Sequence, residues 1–142
     1  GYWNLPKKTK EDFDTDNFFS TGDKGFLDAE GYLTIVGRAK DMIISGGLNV
    51  YPKEVESVIN EIEGVIESAV IGLPDDDLGE KVVAVIVRKD QSQITESEVI
   101  SSLKTQMAGF KVPKKIILIE ELPRNAMGKV QKNILRDIYA KM

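Results

Sequence analysis

Five short stretches carry the residues that could do chemistry. Ser20-Thr21-Gly22-Asp23 sets a carboxylate after a glycine turn. There it can accept hydrogen bonds from two vicinal hydroxyls, the way a ribose is often held, or cap a turn ahead of a hairpin. In Arg38-Ala39-Lys40-Asp41 the donor fork of Arg38 suits a hydroxyl pair or a phosphate and Lys40-Asp41 suits a polar link; a solvated charged loop also accounts for the run. Ser45-Gly46-Gly47 allows either close approach of a ligand to the backbone or a plain tight turn with positive φ. Phe110-Lys111-Val112-Pro113-Lys114-Lys115 is a basic cluster with an aromatic neighbour in an acidic chain, so it reads as a receptor for a nucleotide phosphate or as a solvated loop. Pro123-Arg124-Asn125-Ala126-Met127-Gly128-Lys129 ends in Gly-Lys but is not a phosphate loop. Pro123 occupies the place of the first glycine, and Val130 replaces the hydroxyl that would hold magnesium. What it offers is a long cationic arm on a glycine turn, able to reach a separate active site or to stand as an ordinary surface lysine.

Composition limits what these residues can serve. The 142 residues are 42% hydrophobic and 30% charged, enough to bury a core of one domain. A net charge of -4 argues against a surface that coats nucleic acid. The absence of cysteine rules out disulfides, thiolate metal sites and a cysteine nucleophile, and suits a reducing, cytoplasmic compartment. The absence of histidine removes the usual general base and the commonest metal ligand, so no protein metal site is expected. No apolar run approaches the roughly 20 residues that span a bilayer.

The elements that must position these groups follow from punctuation and period. Residues 1–20 scatter five aromatics without a clear period, as in a segment packed against a neighbour. Gly25–Leu27 and Tyr32–Val36 flank Asp28-Ala29-Glu30-Gly31 as a β-hairpin. Met42–Ile44 and Asn49–Tyr51 read as short strands around the double glycine. Pro52 opens a helix whose Val55, Val58, Ile59 and Ile62 share a face, with Gly64 as its cap. Val65–Leu73 and Lys81–Arg88 are strands, and the unbroken apolar run Val82–Val87 predicts cover on both faces. Pro74–Gly79 reads as an acidic loop between them. Thr95 and Glu98 form a capping box for a helix with Val99, Ile100, Leu103 and Met107 inward, ended by Gly109. Ile116–Ile119 is a further strand, and Asn133–Lys141 a last helix with Ile134, Leu135 and Ile138 on one face. The pattern predicts an α+β fold, a small β-sheet covered by helices.

Taken in order, the Thr-Gly-Asp, the run Gly37-Arg38-x-Lys40-Asp41-x-Ile43-x-x-x-Gly47-x-Asn49-Val50-x-Pro52-x-Glu54-Val55-Glu56 and Pro-Arg-Asn-x-x-Gly-Lys resemble the C-terminal motifs of the adenylate-forming superfamily. That superfamily comprises acyl-CoA synthetases, luciferases and peptide-synthetase adenylation domains. The resemblance extends over the whole chain, including Gly1-Tyr2-Trp3-Asn4, and is nearest in character to malonyl-CoA synthetases. It implies an ATP-dependent carboxylate-CoA ligase acting on a small carboxylic acid, with ATP, coenzyme A and Mg2+ as cofactors, the Mg2+ held with ATP mainly by a larger N-terminal domain. Residues 1–39 would be the β-rich end of that domain, and 40–142 a mobile C-terminal domain; the chain, which opens without Met, is expected to be part of a longer protein and inactive alone. By the same resemblance Asp23 and Arg38 would hold the ATP ribose. Lys40 would be the hinge and Lys129 the catalytic lysine of adenylation. Gly46, Gly47, Phe110, Lys111 and Lys114 would contact coenzyme A. Lys129, read as mobile and exposed, would also be a candidate for acetylation. A noncatalytic interaction module and an adenylation domain that loads a carrier protein are the alternatives.

Overall fold

The computed structural model describes residues 1–90 and 92–141, and the chain divides after Lys40 into two compact units. The first holds a short helix, α1 (Pro6–Asp12), and an antiparallel ribbon of β1 (Asp23–Leu27) and β2 (Leu33–Arg38), registered from Asp23↔Arg38 to Leu27↔Leu33. Residues 1–20 gave no period because α1 buries nothing; a stripe exists only where a core selects one. Instead α1 is set by Pro6 in its first turn and by Thr9, whose Oγ1 accepts from the Tyr2 N–H at 2.8 Å and donates to the Leu5 carbonyl at 3.0 Å. The unit leaves large apolar groups exposed, among them Phe18, Leu27, Tyr32 and Trp3, the last at 90%.

The second unit runs from Asp41 and is built on one sheet. Its elements are β3 (Ile43–Ser45), β4 (Leu48–Val50), α2 (Pro52–Asn60), β5 (Val65–Asp75), β6 (Gly79–Arg88), α3 (Glu96–Gln106), β7 (Lys115–Ile119) and α4 (Lys132–Tyr139). Central β6 pairs antiparallel with β5 along one edge; its other edge meets β3 at Gly79 and, in parallel, β7 from Val83 to Val87. All of Val82–Val87 is buried, as the unbroken apolar run requires. One face packs Val70, Val82, Ala84 and Ile86 against Val55 and Ile59 of α2 and Val99 and Leu103 of α3. The other packs Ala69, Ile71, Val83 and Val85 against Leu122, in the segment after β7, and against Leu135 of α4. Each such fully buried aliphatic side chain stabilises the fold by about 1.5–3 kcal/mol, so Val55→Ala would loosen α2 first.

Four expectations change. Gly64 does not cap α2, which ends at Asn60 with Glu61 in the cap position. The acidic segment is not an open loop: β5 runs on to Asp75 and β6 begins at Gly79, leaving only Asp76–Leu78 as a turn, because Asp75 Oδ1 accepts the N–H groups of Asp77 and Leu78. Gly109 does not end α3, which stops at Gln106 when Met107 turns extended. On α4, Leu135 is buried but Ile138 is 59% exposed, and Tyr139 packs inward in its place. The capping box of α3 is formed, with Thr95 Oγ1 accepting from the Glu98 N–H and Glu98 Oε2 accepting from the Thr95 N–H at 2.8 Å.

Candidate functional site

Lys129 stands on a loop whose shape is written locally. Asn125 Oδ1 accepts the N–H groups of Met127 at 3.0 Å and Lys129 at 2.9 Å; the backbone of Asn125 pairs with Lys129, and Gly128 takes φ +76°. The same device occurs twice in the first unit. Asp14 with Asp16, Phe18 and Asn17 (φ +64°), and Asp28 with Glu30, Tyr32 and Gly31 (φ +86°), repeat the bonds from i to i+2 and i+4 and the left-handed residue at i+3. At these three places an Asx residue followed at the third position by Gly or Asn folds the same turn. The spacing that marked Asp28–Gly31 as a turn also marks Asn125–Gly128, so Asn125 was the readable residue missed beside Lys129.

Arg124 fixes this loop to the sheet. Its backbone bridges Val130, its Nη1 donates to the Gly128 carbonyl at 2.7 Å, and its Nη2 pairs with Glu67 on β5. The Lys129 ammonium, by contrast, has no partner among the described residues.

Gly46 and Gly47 form the two-residue turn between β3 and β4, at φ +57° and +78°, a type I′ geometry that glycine satisfies best. The turn is braced from the β5–β6 tip: the Gly46 N–H donates to the Leu78 carbonyl at 2.9 Å, and the Ile44 N–H to Glu80 Oε2 at 2.8 Å. A Cβ at Gly47 would meet nothing within 4 Å, so the turn itself is the reason for glycine that the fold supplies.

The lysine loop and the glycine turn thus occupy opposite ends of one ribbon. Glu67, which anchors the first, and Asp75, beside the second, stand eight residues apart on β5, about 25 Å at strand rise.

The remaining residues fall in separate places. In the first unit Arg38 Nε pairs with Asp23 Oδ1 at 3.1 Å and Arg38 Nη1 donates to the Thr21 carbonyl at 2.6 Å, so the ribbon end brings together the carboxylate and the guanidinium expected to act jointly. Lys40 is exposed in a single 3-10 turn, Ala39–Asp41. In the second unit Lys111 is committed to Glu54 in the first turn of α2 at 2.5 Å, with its ammonium 5.7 Å from the Phe110 ring centre; it is an ion-paired cation rather than an open anion receptor. Lys114 is exposed at the entrance to β7, where its N–H donates to the Val82 carbonyl. Among the described residues no cluster of three or more Asp, Glu, His or Cys could hold a metal ion, and no helix is long and apolar enough to cross a membrane.

A mixed sheet with helices on both faces, carrying a lysine loop at one end and a glycine turn at the other, defines an α+β domain. The AMP-binding enzyme C-terminal domain family matches residues 54–129, and the chain belongs to that family. It is 51% identical over 139 residues to the long-chain-fatty-acid–CoA ligase FadD13 of Mycobacterium tuberculosis, covering 98% of this chain and 27% of that protein. It is 47% identical over 140 residues to a 2-succinylbenzoate–CoA ligase of Listeria monocytogenes, covering 99% and 29% respectively. Among solved structures, ATP-bound MatB from Rhodopseudomonas palustris superposes with a TM-score of 0.91 at 55% identity, over 99% of this chain and 28% of that one. The chain therefore spans little more than a quarter of the length of these relatives.

Proposed function

We propose that this chain is the moving part of an ATP-dependent carboxylate–CoA ligase, which first joins a carboxylic acid to AMP and then passes the acyl group to the thiol of coenzyme A. The observation that carries this is the separation of the lysine loop and the glycine turn by the length of β5. Adenylation brings a carboxylate against an anionic phosphate, and the unpaired Lys129 ammonium is suited to neutralise the charge where they meet. Thioester formation needs that cation withdrawn and a path for the thiol. Two tools at opposite ends of a rigid ribbon cannot occupy one active site together, so a rotation about Lys40 would exchange them.

In this reading residues 1–39 close the larger AMP-binding domain and 40–142 form the mobile one. The apolar side chains exposed on the first unit would be covered by the rest of that larger domain. The Asp23 carboxylate accepts the ribose hydroxyls, with Arg38 holding its orientation. The turn at Gly46 and Gly47 borders the pantetheine path, with Phe110 and Lys114 toward the nucleotide end of coenzyme A; Lys111 can join them only by leaving Glu54. Mg2+ enters with ATP and is held by the part of the ligase beyond this chain. Malonate is the first acid to try, on the strength of the MatB likeness.

The test is Lys129→Ala in the full-length ligase, with each half-reaction measured separately. Acyl-adenylate formation should fall by roughly 10² to 10³, the scale for one preorganised charge-stabilising donor, while thioester formation from supplied acyl-adenylate persists. Equal loss in both halves would refute the division of labour. The products formed with free coenzyme A and with a carrier protein identify the acceptor.

A further inference from the structure

Arg124 makes three commitments at once: a backbone bridge to Val130, a hydrogen bond across the loop to Gly128, and an ion pair with Glu67. Glu67 is available for the last because of an irregularity in β5. The register slips between Val65 and Glu67, so Val65 joins the core cluster of α2 and α3, while Glu67 leads Ala69, Ile71 and Leu73 on the opposite face. Without that bulge, alternation would place Val65 and Glu67 on the same face. Both partners of the pair are about one-third exposed, at 36% and 29%, and an ion pair so placed adds little to stability. Its geometry is more informative than its energy. It ties the carbonyl immediately before Lys129 to the longest ribbon of the fold, on the side of Lys129 where the turn is exposed.

We propose that Glu67 and Arg124 are positioning residues for adenylation, a clamp that fixes the root of Lys129 so that its ammonium returns to one place each time the domain swings in. The proposal rests on the reading of Lys129 as the adenylation lysine. Arg is required because a planar guanidinium can serve the Gly128 carbonyl and a carboxylate together, which one ammonium cannot do at both sites with fixed direction.

The experiment uses the full-length ligase with Glu67→Ala, Arg124→Lys, Lys129→Ala and the double variant Glu67→Ala/Lys129→Ala, assaying both half-reactions. Glu67→Ala should slow adenylation by about 10-fold, within the range for an ångström-scale misplacement, and leave thioester formation from supplied acyl-adenylate unchanged, which also reports that the domain is folded. Arg124→Lys should give the same split. In the Lys129→Ala background Glu67→Ala should cost nothing further, since its effect passes through that side chain. Normal adenylation in both Glu67→Ala and Arg124→Lys overturns the clamp, as does equal slowing of both half-reactions or a full additional loss in the double variant. If Lys129→Ala itself adenylates normally, the functional reading falls and takes the clamp with it; if Lys129→Ala is slow but the clamp variants are not, only the clamp falls.

Discussion

Asp41 and Arg136 lie 95 residues apart in sequence, yet Arg136 Nη2 donates to Asp41 Oδ1 at 2.9 Å. The pair fastens the first residue of the second unit to α4, directly after Lys40. The pivot proposed at Lys40 requires the chain on one side of it to be held, and this contact holds it. Arg136→Ala should free that anchorage by about 1 kcal/mol, the upper scale for a pair still partly exposed to water. Amide exchange at residues 41–43 should then speed up roughly fivefold while that of β6 stays constant. Unchanged exchange there would show that Asp41 is held by the sheet alone.

Asn125 sets the direction in which Lys129 leaves the loop. Asn125→Ala removes the acceptor of two backbone N–H groups and should slow adenylation about 10-fold, at a stability cost of only about 1 kcal/mol because the loop is exposed. Asn125→Asp keeps the acceptor and should retain most of the rate. If the two variants adenylate alike, the side-chain bonds do not shape the loop in use.

Gly47 needs a substitution that separates its two possible roles. Leucine at φ +78° would strain the turn by about 1–2 kcal/mol whatever passed nearby. Asparagine adopts that conformation far more readily. Gly47→Asn should therefore keep stability and adenylation but slow thioester formation, if pantetheine passes the turn. A normal thioester rate would leave the glycine as a turn residue only.

Glu98 gives the protein an acid-sensitive helix start. Its carboxylate accepts first the Thr95 backbone N–H and then the Thr95 hydroxyl, and these bonds hold its pKa below the ordinary glutamate value of 4.5. A depressed folded-state pKa contributes stability that is present above the unfolded value and is lost as pH falls through the folded one. The stability of α3 should thus decline below about pH 4.5, and Glu98→Gln should flatten that decline. Exchange of the α3 amides at about pH 3 and about pH 6 measures it; an equal slope in wild type and variant would exclude the capping carboxylate as the source.

Much of this architecture was legible in the residues because its causes are local. The apolar run Val82–Val87, the stripe of α2 and the Thr95–Glu98 box depend on neighbours within a few positions. So do the turns at Asp28–Gly31 and Asn125–Gly128, where one side-chain oxygen and one left-handed residue suffice. Local order also failed in identifiable ways: α1 left no stripe because it meets no core, and the acidic turn concealed the true length of β5 and β6.

What the tertiary structure alone decided was which distant groups meet. Three glutamates each satisfy one strand N–H: Glu56 that of Val70, Glu80 that of Ile44 and Glu96 that of Ile116. Nothing near them in sequence marks them for it, since any exposed glutamate has the same composition and charge. The commitment of Lys111 to Glu54, the anchorage of Asp41 by Arg136 and the delivery of Glu67 to Arg124 by a bulge are of the same kind. Residue type and spacing determined that a mounted lysine and a glycine turn exist in this protein. Only strand register, which accumulates over the whole ribbon, decided that they stand at opposite ends of it.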